Sequence, residues 1–292
     1  MLDVVVEVTA PFSHASDTPS AITTSPGGAA ANQSVAMAAA GATVALLGVV
    51  GDDPLGEAAA AALQAAGVDV ALLWCTSRPT GVVVALVEPD GQRSMLTDRG
   101  ANLAFDVAMV EPLAALLGEG SHVHVSGYCL LDDESRPAGR RALELASMHG
   151  SSTSVDASSA GPLRAVGADR FLEWVHGVDY LFCNQDEGDV LTAAREQSTM
   201  ARMLSSTAGE VVITMGADGA LVSSRAGEMF RTPATVAEVG DTIGAGDNFM
   251  AAYLVHRLGG AGVVESLAAA TTAAGRAVSR QGARDWAGYS RE

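Results

Sequence analysis

The sequence predicts an α/β fold: a central, mostly parallel sheet with helices on both faces, in one domain over residues 1–292. Three observations carry that prediction. Apolar strand-like runs alternate with Ala-rich helical stretches, which is the grammar of βαβ units. Residues 42–50 are almost continuously apolar, as in a strand covered on both faces. Farther on, strand-like runs at 68–74, 80–88 and 93–96 follow one another with no helix between them, so some of them must leave the main sheet. At 292 residues, 48% of them hydrophobic, the chain can bury a sizeable core, and with only 4% aromatics that core is built from Ala, Val and Leu.

In order, residues 1–9 read as a strand, followed by a polar stretch that Pro19 and Pro26 interrupt. Gly27-Gly28 opens an Ala-rich helix that ends at Gly41. After the strand at 42–50, Gly51-Asp52-Asp53-Pro54 leads into a helix to about Ala66. Asp90-Gly91 is a hairpin signal between 82–87 and 93–96. Alternation then resumes with a helix at 106–117, a strand at 122–126, a helix at 133–149 and a strand at 153–156. A strand at 180–183 runs into Asn184-Gln185-Asp186-Glu187, and one at 211–214 ends in a Thr-x-Gly-x-x-Gly turn before a further strand at 220–224. Two helices, 249–258 and 260–282, close the chain. His122 and His124 share one strand face, where a structural role fits better than metal binding because no third ligand is in view.

Net charge is −17 with a pI near 4.6, which argues against nucleic-acid and anionic-membrane partners. Cys75, Cys129 and Cys183 have no metal-ligand spacing and suit a reducing compartment. With no signal-like N-terminus and no bilayer-length apolar run, the cytoplasm is the expected location. No Gly-x-x-x-x-Gly-Lys-Ser/Thr loop is present, and no Gly-x-Gly-x-x-Gly follows an early strand.

The most informative stretch is Val239-Gly240-Asp241-Thr242-Ile243-Gly244-Ala245-Gly246-Asp247-Asn248-Phe249. Its small residues allow a tight turn that aims successive N–H groups at one point, at a helix N-terminus that favours an anion. A carboxylate beside such a hole can take a proton from a hydroxyl while the hole holds the phosphoryl group under attack. A glycine-rich helix cap with an ordinary N-terminal Asp is the plainer alternative.

This run resembles the Asp-Thr-x-Gly-Ala-Gly-Asp signature of ribokinase-like sugar kinases, the phosphofructokinase-B family. Gly27-Gly28-x-x-x-Asn32 resembles that family's N-terminal signature, and the resembling motifs keep the family's order from Asp3 to Ala283. The resemblance implies a ribokinase-like three-layer sandwich with a small β-lid formed by about 3–26 and 74–98. It implies ATP-dependent phosphorylation of a hydroxyl on a sugar or sugar-like acceptor, with Asp247 as base and Gly244, Ala245 and Gly246 as anion hole. Asp3, Gly27, Gly28, Asn32 and Asn102 would bind the acceptor. Asn184, Thr214, Gly216 and Gly219 would face the nucleotide, with Thr271-Thr272 bordering the adenine. Glu187 would act on a Mg²⁺-bound water, although Asn184 and Glu187 also have the spacing of a capping box. Carbonyls around Asp241, Ile243, Ala277, Arg280 and Gly282 would hold a monovalent cation, K⁺. A homodimer through the lid is a further implication.

Two departures qualify the resemblance. The family begins with a core strand leading into its substrate aspartate, whereas here Asp3 is the third residue; either residues precede it or the sheet is one strand short, with an apolar gap beside the acceptor site. Ala29 stands where ribokinases carry a lysine, which removes one polar contact to the sugar and leaves room for another sugar or a nucleoside. Phe12, Trp74, Phe105 and Tyr128 are candidate platforms for a nucleoside base, and Arg78, Arg93 and Arg99 candidate partners for a sugar phosphate. A non-catalytic sugar or nucleotide binder is the alternative of another class.

Overall fold

The computed structural model describes residues 1–10, 13–75, 77–88, 93–235 and 244–279, with the backbone alone at 71–75 and 93. A valine-rich run makes the first strand, β1 (Leu2–Val8), which pairs antiparallel with β2 (Ser20–Pro26). Helix α1 (Ala29–Ala39) follows, then β3 (Ala45–Gly51), α2 (Pro54–Ala65) and β4 (Asp69–Cys75), which lies parallel to β3. Asp53 starts α2 by accepting from Gly56 N at 2.8 Å, with Pro54 at the first helical position.

β5 (Thr80–Val87) and β6 (Arg93–Gly100) return to the first pair and complete a four-stranded sheet, in the order β2-β1-β5-β6. The turn joining them, with Asp90-Gly91, lies outside the described residues. Register puts Asp3, Ser25 and Val83 on one face of this sheet and Val4, Thr24, Val84 and Leu96 on the other. β4 does not join it.

The helix expected at 106–117 is instead a single turn, α3 (Val107–Val110), continued as a 3₁₀ segment, Glu111–Leu116. Pro112 explains the change, since it supplies no N–H and crowds the preceding turn. The chain continues through β7 (His122–Ser126), α4 (Gly127–Leu131), α5 (Arg136–Met148), β8 (Ser152–Asp156), α6 (Ala160–Val166), α7 (Ala168–Trp174), β9 (Tyr180–Asn184), α8 (Gln185–Thr192), α9 (Gln197–Leu204), β10 (Glu210–Thr214), β11 (Ala220–Ser224) and β12 (Met229–Thr232). It ends in α10 (Ala245–Leu258) and α11 (Val263–Val278).

β12-β11-β10-β9-β8-β7 form the main sheet, parallel from β7 to β10 and antiparallel at β11 and β12. Strand residues alternate between two cores. Leu181, Val211 and Ile213 face a cluster with α5, Leu163, Phe171 and Met200. Phe182, Val212 and Val222 face Phe249, Tyr253, Leu254 and Leu267 of α10 and α11, with Met37 of α1 against them. That alternation is what a sheet covered on both faces requires, and it defines three layers. Among the described residues no strand ladder joins β3–β4 to β7, so the central sheet comes in a six-stranded and a two-stranded piece.

Candidate active site

Parallel strands deliver their carboxyl ends to one edge. Ser126 pairs with Asp156, Asp156 with Phe182, and Thr214 with Asn184, so the loops after β7, β8, β9 and β10 all open there. Asn184 and Thr214 are thereby brought side by side.

α10 begins at the same motif that dominated the sequence. Gly244 is its N-cap, with φ 77 and ψ 0, a left-handed conformation that glycine adopts without strain. Among the described residues no side chain caps this terminus, where the first-turn N–H groups of a helix, here those of Ala245 and Gly246, have no intrahelical partner. Asn248 instead braces the turn from behind, its Nδ2 donating to Gly244 O at 2.9 Å. Asp247 lies in the first turn, half-buried. A Cβ on Gly246 would meet nothing within 4 Å among the described residues, so they leave open the space above the helix start.

α1 packs alongside α10. Its N-cap is Gly28 at φ 97, with no side-chain cap. A Cβ on Gly27 would collide with the Asp3 carboxyl, so glycine there is what lets the Asp3 side chain lie on the backbone at the entry to α1. Asn32 is buried one turn later. Asp3 therefore lies against Gly27 at the entry to α1, with Gly28 at the N-cap and Asn32 one turn on. Asn102 sits after β6, and its Nδ2 donates to Arg99 O at 2.9 Å, so part of its polarity serves the local turn. The four-stranded sheet is tied to this end of the molecule by Asp53, which accepts from Thr80 N and Thr80 Oγ1, each at 2.7 Å.

Asn184 and Glu187 do form a capping box: Glu187 N donates to Asn184 Oδ1 at 2.9 Å and Asn184 N to Glu187 Oε2 at 2.8 Å, with Asn184 Nδ2 donating to Oε1 at 2.7 Å. Burial, opposed by the Asn184 hydrogen bonds and reinforced by the Asp156 and Asp186 charges, pushes Glu187 up to about 7. No group of three or more potential ligand side chains occurs among the described residues, and one buried carboxylate with amide oxygen nearby suits a Mg²⁺ held mainly through water and phosphate oxygens. The Thr214–Gly219 turn is a tight strand-to-strand connection in which Met215 N donates to Gly219 O at 2.8 Å. Gly216 stands in open space, whereas a Cβ on Gly219 would strike the Thr232 carbonyl. Thr271 is buried and bonds its own helix at Leu267 O, while Thr272 is exposed. Of the cation residues, Ala277 ends α11, and Asp241, Ile243, Arg280 and Gly282 lie outside the described residues.

Sequence reasoning passed over Asp156 and Gln33. Asp156 is buried at the end of β8; burial pushes its carboxyl up, but hydrogen bonds from His124, Ser158 and Gln33 outweigh that and hold it below the ordinary range. Its sequence signal was a lone acid closing a Ser/Thr-rich strand. Arg99 lies over the Tyr128 ring at 5.0 Å and donates to Tyr128 O at 3.0 Å. Phe105 is used in core packing, and Arg78 pairs with Glu134 at 2.6 Å near the surface. Phe12 and the Trp74 and Arg93 side chains lie outside the described residues.

Comparison with known proteins says what class of protein carries these elements, and it is a phosphotransferase. The chain belongs to the pfkB family of carbohydrate kinases, whose family model matches residues 1–287. It is 28% identical over 279 residues to the ribokinase of Schizosaccharomyces pombe, covering 91% of this chain and 84% of that protein. It is 29% identical over 259 residues to the ATP-dependent ribose-1-phosphate kinase of Halopiger xanaduensis, covering 88% and 82%. The crystal structure of adenosine kinase from Sinorhizobium meliloti superposes with a TM-score of 0.86 at 26% identity, over 98% of this chain and 93% of that one. Ribokinase from Thermotoga maritima shares the fold, with a TM-score of 0.78 at 22% identity over 97% and 91%. No described helix is long and apolar enough to cross a membrane.

Proposed function

We propose that the chain transfers the terminal phosphoryl group of ATP to a hydroxyl of a sugar or sugar-like acceptor. The observation that carries this is the uncapped start of α10, where Gly244 turns left-handed, open space lies over Gly246, and Asp247 stands in the first turn. Asp247 takes the acceptor proton as the hydroxyl oxygen attacks phosphorus. Backbone N–H groups of Gly244, Ala245 and Gly246 hold the charge that gathers on the phosphoryl oxygens. Asp3, Gly27, Gly28, Asn32 and Asn102 orient the acceptor, while Asn184, Thr214, Gly216 and Gly219 border the nucleotide. Mg²⁺, when bound, neutralises phosphate charge, and Glu187 and Asn184 are the residues that would hold its waters. The four-stranded sheet, from about 3–26 and 74–98, serves as a lid that excludes water as a competing acceptor.

The test is ADP release with pentoses, hexoses, ribose 1-phosphate and nucleosides, run beside Asp247→Asn. Asp247→Asn should lose at least about a thousandfold in kcat with ATP affinity kept; near-normal turnover removes Asp247 from the mechanism. A ligand that raises Tm while none supports turnover makes the chain a binder. A nucleoside acceptor is the second reading, supported by the Arg99–Tyr128 stack beside the lid and by the likeness to adenosine kinase. The lid face bearing Val4, Val84, Leu96 and the 63% exposed Ile22 suits pairing with a second copy, which sedimentation at micromolar concentration reads directly.

A further inference from the structure

Helix α1 buries the wrong residues for an amphipathic helix. Its buried positions are Asn32, Gln33 and Ser34, while most of its alanines are left half-exposed. What they cover is equally unusual. On the face of β7 and β8 beneath α1, the apolar core gives way to His122, His124, Ser152, Ser154 and Asp156.

These groups form one continuous chain of hydrogen bonds, and its direction can be deduced. Asp156 is ionised and can only accept, so the Gln33 amide nitrogen must face it; Gln33 Nε2 donates to Asp156 Oδ2 at 2.6 Å. Gln33 Oε1 is then left as an acceptor, and the group against it is His124 Nε2 at 3.0 Å, which also lies 3.4 Å from Asp156 Oδ2. With two acceptors before it, Nε2 carries the hydrogen. In the neutral ring Nδ1 accepts, from Ser154 Oγ at 2.7 Å. Ser154 Oγ in turn accepts from His122 Nε2 at 2.7 Å, and His122 Nδ1 accepts from Ser152 Oγ at 2.7 Å. Burial holds His122 neutral by pushing it down to about 3. At the far end Asp156 Oδ1 accepts from Ser158 Oγ and, at 3.3 Å, from Gly127 N.

We propose that Gln33 is the positioning residue of the acceptor site: clamped between the His124 ring and the Asp156 carboxylate, it fixes α1, and with it Asn32 and Gly28, against the main sheet. A helix held by directional bonds resists sliding and rotation in a way that an Ala-on-Val contact, tolerant of small shifts, does not. Asn32 follows Gln33 directly on the helix, so loosening the clamp moves the acceptor contacts and spares the nucleotide side. This consequence rests on the reading of α1 as the acceptor helix.

Two measurements test the clamp. Gln33→Met keeps the volume and removes both bonds; the KM of the best acceptor from the panel should rise at least tenfold, with the KM for ATP and kcat within twofold of wild type. Gln33→Glu sets two carboxylates face to face and should be worse. Gln33→Glu combined with Asp156→Asn exchanges amide and carboxylate while keeping a donor opposite an acceptor in both contacts of residue 33, and should bring the acceptor KM back to within about threefold. An unchanged KM in Gln33→Met, or no recovery in the exchange variant, overturns the proposal; if Gln33→Met does not fold, the exchange pair decides alone. Nitrogen-15 spectra of the imidazoles need no substrate. They should show His122 and His124 protonated at Nε2, and Asp156→Asn should reverse the relay to Nδ1. Nδ1 protonation of His124 in the wild type refutes the clamp, whereas absence of turnover with every acceptor refutes only the kinase reading.

Discussion

Gly246→Ala separates a residue kept for packing from one kept for a ligand. Gly246 is the second residue of α10, its φ lies outside the left-handed range, and an added Cβ would meet no atom within 4 Å among the described residues. The folded protein therefore has no steric reason to reject alanine. A glycine inside a helix is worth about 0.5–1 kcal/mol less than alanine, so the substitution should stabilise the free enzyme by up to that amount. For a chain of this size that is roughly 1–3 °C in Tm. Catalysis should move the other way. If the phosphoryl group rests on the N–H groups of Gly244, Ala245 and Gly246, the methyl group enters its space. Losing one donor from such a hole costs about 10²–10³ in kcat, so a fall of at least tenfold is expected. Calorimetry without nucleotide and steady-state kinetics on the same preparation read the two effects. A lowered Tm would show that Gly246 is needed by the fold. A raised Tm with unchanged kcat would place the phosphoryl group elsewhere and dismantle the site.

Gly27→Ala should act on the acceptor side: the new Cβ displaces the Asp3 carboxyl, and a misplacement near 1 Å can cost about a hundredfold in acceptor kcat/KM. An unchanged value would separate Asp3 from acceptor binding. Glu187 makes stability pH-dependent. Its carboxyl rises from the ordinary 4.5 to about 7 on folding. Between those values the folded state binds the extra proton, so stability falls as pH rises through the window, by about 3 kcal/mol at most. Glu187→Gln should flatten that slope and match or exceed the wild-type Tm at pH 8; an undiminished slope assigns it to another group. Tyr253→Phe removes a buried hydroxyl that donates to Glu210 Oε2 at 2.8 Å, where Glu210 also pairs with Arg257. A loss of about 1.5–2 kcal/mol, or roughly 3–5 °C, should appear in thermal melts with kcat unchanged, and a shift under 1 °C would mean Arg257 compensates fully.

Which parts of the site could be read from the chain alone follows from how local each part is. Gly244 to Asp247 is legible because a left-handed turn, an uncapped helix start and a first-turn carboxylate are all made by adjacent residues. Gly27-Gly28 and Asn32 are legible for the same reason. The Asn184–Glu187 spacing was legible but ambiguous, and the structure forms the capping box without removing the carboxylate from the mouth of the sheet. The break at Pro112 was open to a stricter reading, because proline there already forbids a continuous helix.

Other features depend on distance in space. Gln33 meets Asp156 across 123 positions and His124 across 91, and no local pattern announces either contact. Likewise β4 and β5 look alike as apolar strands, yet one pairs with β3 and the other with β1, a choice made by which edges are free once the chain has folded back. By itself the sequence determined the kind of fold, part of the order of its strands and helices, and the tight turns that present N–H groups and carboxylates, because periodicity, glycine φ and helix termini are properties of neighbouring residues. Only the tertiary structure decided which strands share a sheet, and that a helix would be fastened by its polar residues instead of its apolar ones. Those outcomes depend on satisfying buried donors and acceptors among groups that the chain brings together from far apart.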